Sequence, residues 1–203
     1  MEAASGSEAR AQREFIKGVF SHHVAPKVVD QLLSDPAKVA SLEGERRTMT
    51  FLFTDVADFT TMSEGVESKE LGRILNSYLE VMTDIVQKHG GMVDKVVGDA
   101  VHAIFNAPLD QRDHPRHALE SAVAIRDWAE AWRRSPLPAG IGFGRTRIGI
   151  ETGDAIVGDI GISSKLDYTA HGNAVNTAAR LQSINKELGS TICVGQTTAH
   201  RCN

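Results

Sequence analysis

The chain has 203 residues, 41% of them apolar and 24% charged, and its 22 Lys and Arg stand against 26 Asp and Glu for a net charge of −4. That length buries a core without disulfides or a structural metal, and the well-mixed charge excludes both a disordered chain and a broadly basic surface that coats nucleic acid. The two cysteines, Cys193 and Cys202, are too few for a disulfide framework, no stretch approaches the ~20 apolar residues of a membrane span, and the N-terminus lacks the apolar core of a signal peptide, so the composition reads as cytoplasmic.

Residues 1–13 are small and polar and read as a disordered lead-in. Residues 14–45 read as a helical signalling linker, with a short helix near Phe15–Phe20 and a second opened by Pro26, striped by Val28, Val29, Leu32 and Leu33. So short a stripe needs a partner, either its own domain or the same helix of a second copy below a sensor. Thr48–Thr54 is a β-rich run ending at Asp55, and the polar DVADFTTMSE that follows reads as a strand-to-helix turn. Ser68 is the expected N-cap of a long helix. Its Leu71, Ile74, Leu75, Tyr78, Leu79, Met82, Ile85 and Val86 keep helical spacing, and Gly90-Gly91 ends it.

Met92–Val97 and Ala100–Phe105 are strand-like runs separated only by Gly98-Asp99, a two-residue hairpin signal. A helix over 112–134 aligns Ala118, Ala122, Ile125, Ala129 and Trp132, and stops before a Pro136/Pro138 loop. Gly140, Gly142 and Gly144 resemble a dinucleotide loop but precede a strand, which makes them turn glycines. Strands at Thr146–Thr152 and Ala155–Ile160, a helix from Asn173 to Leu188 and a strand at Thr191–Val194 complete the series. The order β, α, β, β, α, β, β, α, β predicts an α+β fold, a mostly antiparallel sheet covered by helices.

Two carboxylates stand out by position: Asp55 at a strand end and Asp99 at a hairpin tip. On neighbouring strands they would emerge at one edge of the sheet and could share hard divalent cations, of which Mg²⁺ accepts one or two carboxylates and keeps sites for water and phosphate. Taken singly, Asp55 could cap a helix and Asp99 fill a turn. Asn176 and Arg180, four apart on the last helix, project together, the guanidinium being suited to phosphoryl charge. Asp110, Asp113, His114 and His117 form a second cluster, more in keeping with a polar loop and helix start than with a transition-metal site.

The segments FTDVADFT, KVVGDAV, RIGIETGDAIVGDIG and YTAHGNAVNTAARL closely resemble the class III nucleotidyl cyclases of the bacterial adenylate cyclase kind. The resemblance runs over about Arg46 to Val194 within a domain read as 46–203, and implies a ferredoxin-like cyclase fold and a homodimer with two composite sites. It implies that Asp55 and Asp99, with the backbone of Val56, bind two Mg²⁺ or Mn²⁺ ions, and that Phe59 and Thr60 touch the substrate. Lys95 and Thr169 resemble the purine-reading pair, Asn176 the ribose-orienting residue and Arg180 the transition-state residue, these four coming from the opposite subunit to the aspartates. ATP is the implied substrate and cyclic AMP with pyrophosphate the products; a guanylate cyclase and an inactive dimerising module are the alternatives. A second copy and an upstream sensor domain are the implied partners, and nucleic acid is not. The family's sheet continues into a hairpin bearing a triphosphate-contacting Lys, to which no residue before Asn203 corresponds.

Overall fold

The computed structural model describes residues 44–159 and 168–202, together with Arg10, Arg13, Glu14, Lys17, Val29, Asp30, Leu33 and Ser34. Those eight positions are helical; the rest of the expected lead-in and linker lies outside the described residues.

β1 (Glu45–Val56) is apolar on both sides, and it is covered on both. Its Leu52 and Val56 join Val101, Ala103 and Phe105, Ile148 and Ile150 against two helices, α2 (Ser68–Lys88) and α3 (His114–Trp132). Met49, Phe51 and Phe53 face the other way, with Ile104, Ala155 and Val157, and are covered by Ala174 and Ala178 of α5 (Asn173–Leu188). Val29 is buried in this second cluster and Leu33 packs on it. Before α2 comes the short α1 (Phe59–Glu64), and between α3 and α5 the short α4 (Pro136–Gly140). The remaining elements are β2 (Met92–Val97), β3 (Ala100–Phe105), β4 (Thr146–Asp159), β5 (Tyr168–His171), β6 (Ile192–Val194) and α6 (Gln196–Arg201).

The sheet order is β2-β3-β1-β4-β5, antiparallel throughout, with β6 added parallel to β4. This is the expected α+β, ferredoxin-like arrangement. α2 keeps its predicted stripe, burying Ile74, Tyr78, Met82 and Val86, but Ser68 is already helical; Glu67 is the cap, its carboxylate accepting from the Glu70 N–H at 3.0 Å. β4 is one strand rather than two. Gly153 and Asp154 stay in the ladder opposite Met49 and Thr48 because β1 is long enough to pair with β4 from Thr146 to Val157, and the Thr48 hydroxyl donates to the Asp154 carboxylate at 2.5 Å. The Pro136/Pro138 stretch and the region after Asp55 each contain a turn or more of helix too short to show a period.

Two local devices hold the layers. Gly149 lets α5 lie directly on β4: a Cβ there would stand 2.1 Å from the Gln182 N and 2.3 Å from the Ala178 O. One turn further on, buried Asn185 donates through its amide to the Ile148 carbonyl at 2.9 Å. On the α3 side a buried polar chain runs from His114 Nδ1 to the Thr50 hydroxyl, to the Thr152 hydroxyl and to Thr198 of α6, each step 2.8 Å. Burial, followed by the nearby charge of Arg201, pulls the His114 imidazole down to about 4.

Candidate active site

Side chains alternate across a strand, so Asp55 leaves β1 on the same face as Met49, Phe51 and Phe53. Strand pairing sets Asp55 directly opposite Arg147, the second residue of β4, and the Arg147 guanidinium donates to Asp55 Oδ2 at 2.6 Å. On the other side of β1 the β2–β3 hairpin turns at Gly98, whose φ of +60° suits a residue without a Cβ. The turn brings Asp99 to the end of β1, where its Oδ2 accepts the Val56 N–H at 2.7 Å. Burial pushes the Asp99 carboxyl above its usual range and the Asp55 charge adds to this, while the Val56 N–H and Arg147 pull it back. Asp55, Val56 and Asp99 are thus brought together, as the spacing anticipates. Arg147 is the member the sequence reading missed; its signal was a cation at a strand start, but only the register shows that it meets Asp55.

Among the described residues no group of three or more His, Cys, Asp or Glu side chains converges. Two half-buried carboxylates beside a backbone carbonyl nevertheless fit a hard ion that takes the rest of its ligands from water and phosphate, and the cationic Arg147 already at Asp55 shows that positive charge is held there. The Asp110–His117 cluster is otherwise engaged: His114 bonds Thr50, His117 Nδ1 meets the Gln111 amide at 2.6 Å, and Asp110 pairs with Arg47 at 3.3 Å.

Lys95 stands exposed on edge strand β2, opposite His102 of β3. Asn176 and Arg180 are exposed on α5, which covers β4 on the Phe53 face of the sheet. Thr169 is buried on β5, opposite Gly158, and alternates with Tyr168 and Ala170 of the core cluster. One protomer therefore keeps Lys95 and Thr169 on opposite edge strands, with β3, β1 and β4 between them. Phe59 and Thr60 open α1 just past Asp55; Phe59 is half-buried edge-on against Phe143, with centroids 6.5 Å apart, and Thr60 is exposed.

Residues 43–203 match the family model of the adenylate and guanylate cyclase catalytic domain. The chain belongs to that family. As a cyclase domain it is 37% identical over 157 residues to adenylate cyclase 1 of Rhizobium meliloti, a match covering 77% of this chain and 24% of that protein. Among solved structures it resembles the adenylyl cyclase CyaB from P. aeruginosa (33% identity, TM-score 0.71, 79% of this chain and 82% of that one). It resembles the guanylyl cyclase Cya2 almost as well, at 31% identity and a TM-score of 0.70 over 79% of this chain and 80% of that one. This cyclase domain spans about a quarter to a third of the length of relatives such as the Rhizobium protein and the Anabaena cylindrica adenylate cyclase. No helix among its described residues is long and apolar enough to cross a membrane.

Proposed function

We propose that this domain converts ATP to 3′,5′-cyclic AMP and pyrophosphate at a site completed by a second copy of the chain. The observation that carries the reading is the convergence of Asp55 and Asp99 at one end of the sheet, with Arg147 as counter-charge. Likeness to an adenylyl and a guanylyl cyclase is nearly equal, so the nucleotide is argued from Lys95. Its ammonium donates to the N1 acceptor of adenine, whereas guanine would present an N1–H there. The Thr169 hydroxyl would accept from the exocyclic amine.

Asp55, Asp99 and the Val56 carbonyl would hold Mg²⁺ or Mn²⁺, which when bound acidifies the ribose 3′-hydroxyl and neutralises the triphosphate. The chain's own groups do the rest. Asn176 orients the ribose so that its 3′-oxygen lies in line with the α-phosphorus, and Arg180 meets the charge that grows on the α-phosphoryl oxygens as pyrophosphate leaves. Phe59 and Thr60 lie where the substrate would pass the first turn of α1. Lys95 and Thr169 lie on opposite edge strands of one protomer, and the reading, following the family resemblance, assigns them with Asn176 and Arg180 to the opposite subunit from the aspartates. Val96 and Val97, 47% and 57% exposed at the hairpin tip beside Asp99, supply apolar surface for that second copy to cover.

The test is cyclic-nucleotide production from ATP or GTP with Mg²⁺ or Mn²⁺ across a series of protein concentrations. Cyclic AMP should exceed cyclic GMP and rise faster than linearly with protein. Linear dependence down to concentrations at which the chain sediments as a monomer would remove the second copy, and a preference for GTP would remove the reading of Lys95.

A further inference from the structure

The strand pairing of β2 with β3 slips by one residue between Val93 and Lys95. Val93 faces Ala103, Asp94 is the extra residue, and Lys95 then faces His102. Without this bulge, alternation would put Asp94 opposite His102 and turn Lys95 to the α2–α3 side of the sheet. With it, Lys95 lies on the Phe53 face, the face α5 also covers. The next residue in the row is equally defined. His102 is the register partner of Phe53 as well as of Lys95, and its ring stands edge-on to the Phe53 ring, with centroids 4.1 Å apart at 65°. Phe53 is buried and His102 half-buried. A row Phe53–His102–Lys95 thus crosses three strands at one level, running from the core to an exposed cation.

A lysine on an edge strand has four rotatable bonds and no fixed direction of its own. Here its stem has a flat neighbour that is itself wedged against a core ring. That neighbour carries no charge near neutrality, since burial and the adjacent Lys95 hold the His102 imidazole down to about 4. A second cation in the row would repel the ammonium, and a small residue would remove the ring that faces its stem.

We propose that His102 is a positioning residue for base selection: its ring, set edge-on to Phe53 and opposite Lys95 in the strand register, fixes where the Lys95 ammonium meets the purine. This rests on the reading of Lys95 as the adenine contact given above. The experiment is competition of ATP and of GTP against a fluorescent ATP in Mg²⁺, on the full chain, with melting temperature recorded for each variant. His102→Ala and His102→Arg should each shrink the ATP-over-GTP preference by about tenfold, the lower part of the range seen for losing one discriminating contact. His102→Phe, which keeps a neutral ring against Phe53, should retain the preference. General destabilisation would weaken both nucleotides alike and leave their ratio unchanged. In a Lys95→Ala background, His102→Ala should add nothing, because the two act as one unit.

If Lys95→Ala lowers the preference and His102→Ala does not, or if His102→Phe loses it as His102→Ala does, the proposal for His102 falls and the reading of Lys95 stands. If Lys95→Ala leaves the preference intact, or the parent chain binds neither nucleotide, the reading of Lys95 falls and takes the proposal with it.

Discussion

The two halves of the proposed site are built differently. Around Asp55 and Asp99 everything is fixed by strand register inside one chain: Arg147 is the ladder partner of Asp55, and Asp99 is held to the Val56 N–H. Asn176 and Arg180 instead sit exposed on α5, and Thr169 lies two strands from Asp55 and four from Lys95 in the sheet. The first half is held by strand register and backbone hydrogen bonds; the second is dispersed, with Asn176 and Arg180 exposed on α5 and Thr169 buried on β5. On the proposed reading, a domain made this way would hold its carboxylates ready for cations while its turnover waited on a second copy.

The sharpest way to break the contrast is to disable each half separately. Asp99→Ala should abolish turnover together with its dependence on Mg²⁺ or Mn²⁺, a loss on the order of 10³ or more, beyond that of one transition-state donor. Full manganese-stimulated turnover in that variant would refute the metal assignment. Arg180→Ala should cost on the order of 10²–10³ in kcat with ATP binding nearly unchanged; equal losses in binding and turnover would contradict its role. Mixing the two dead variants should restore about a quarter of the parental rate, because half the random dimers then contain one intact site of two. A mixture as inactive as its components would place both halves within a single chain.

Smaller effects test the scaffold. Asn185→Ala removes a buried amide that anchors α5 to the Ile148 carbonyl, and should lower stability by about 1–3 kcal/mol in denaturant titration. On the α3 side, His114 is held near pKa 4, well below its unfolded value. The unfolded chain therefore takes up the proton first, so this contribution to stability is complete above about pH 6.5 and is lost as pH falls toward 4. The melting temperature should drop over that window, and His114→Gln should flatten the drop by an amount on the order of 2 kcal/mol. An unchanged profile would show that the Thr50–Thr152–Thr198 chain does not sense the ring's charge.

What the sequence made legible follows from what is periodic. The α2 stripe through Tyr78, Met82 and Val86 and the Gly98-Asp99 hairpin are local signals, and both appear where the spacing predicts. The expected break between strands at Thr146–Thr152 and Ala155–Ile160 does not occur, because Gly153 and Asp154 pair with Met49 and Thr48. The bulge at Asp94 and the meeting of Arg147 with Asp55 depend on register between strands far apart in the chain, which composition and spacing do not encode. The candidate residues could be named from motifs, but their grouping could not.

The ion pair between Arg147 and Asp55 bears on how the domain waits for its ligands. A carboxylate so close to a second acidic group would otherwise repel its neighbour; the Arg147 guanidinium sets a positive charge beside it. If the proposed divalent ion binds there, its loading would be an exchange of partners rather than the relief of an unmet charge. A monovalent ion would offer no more charge than the arginine already provides, so on this reading displacement would favour doubly charged species and leave the guanidinium free beside the substrate's phosphates.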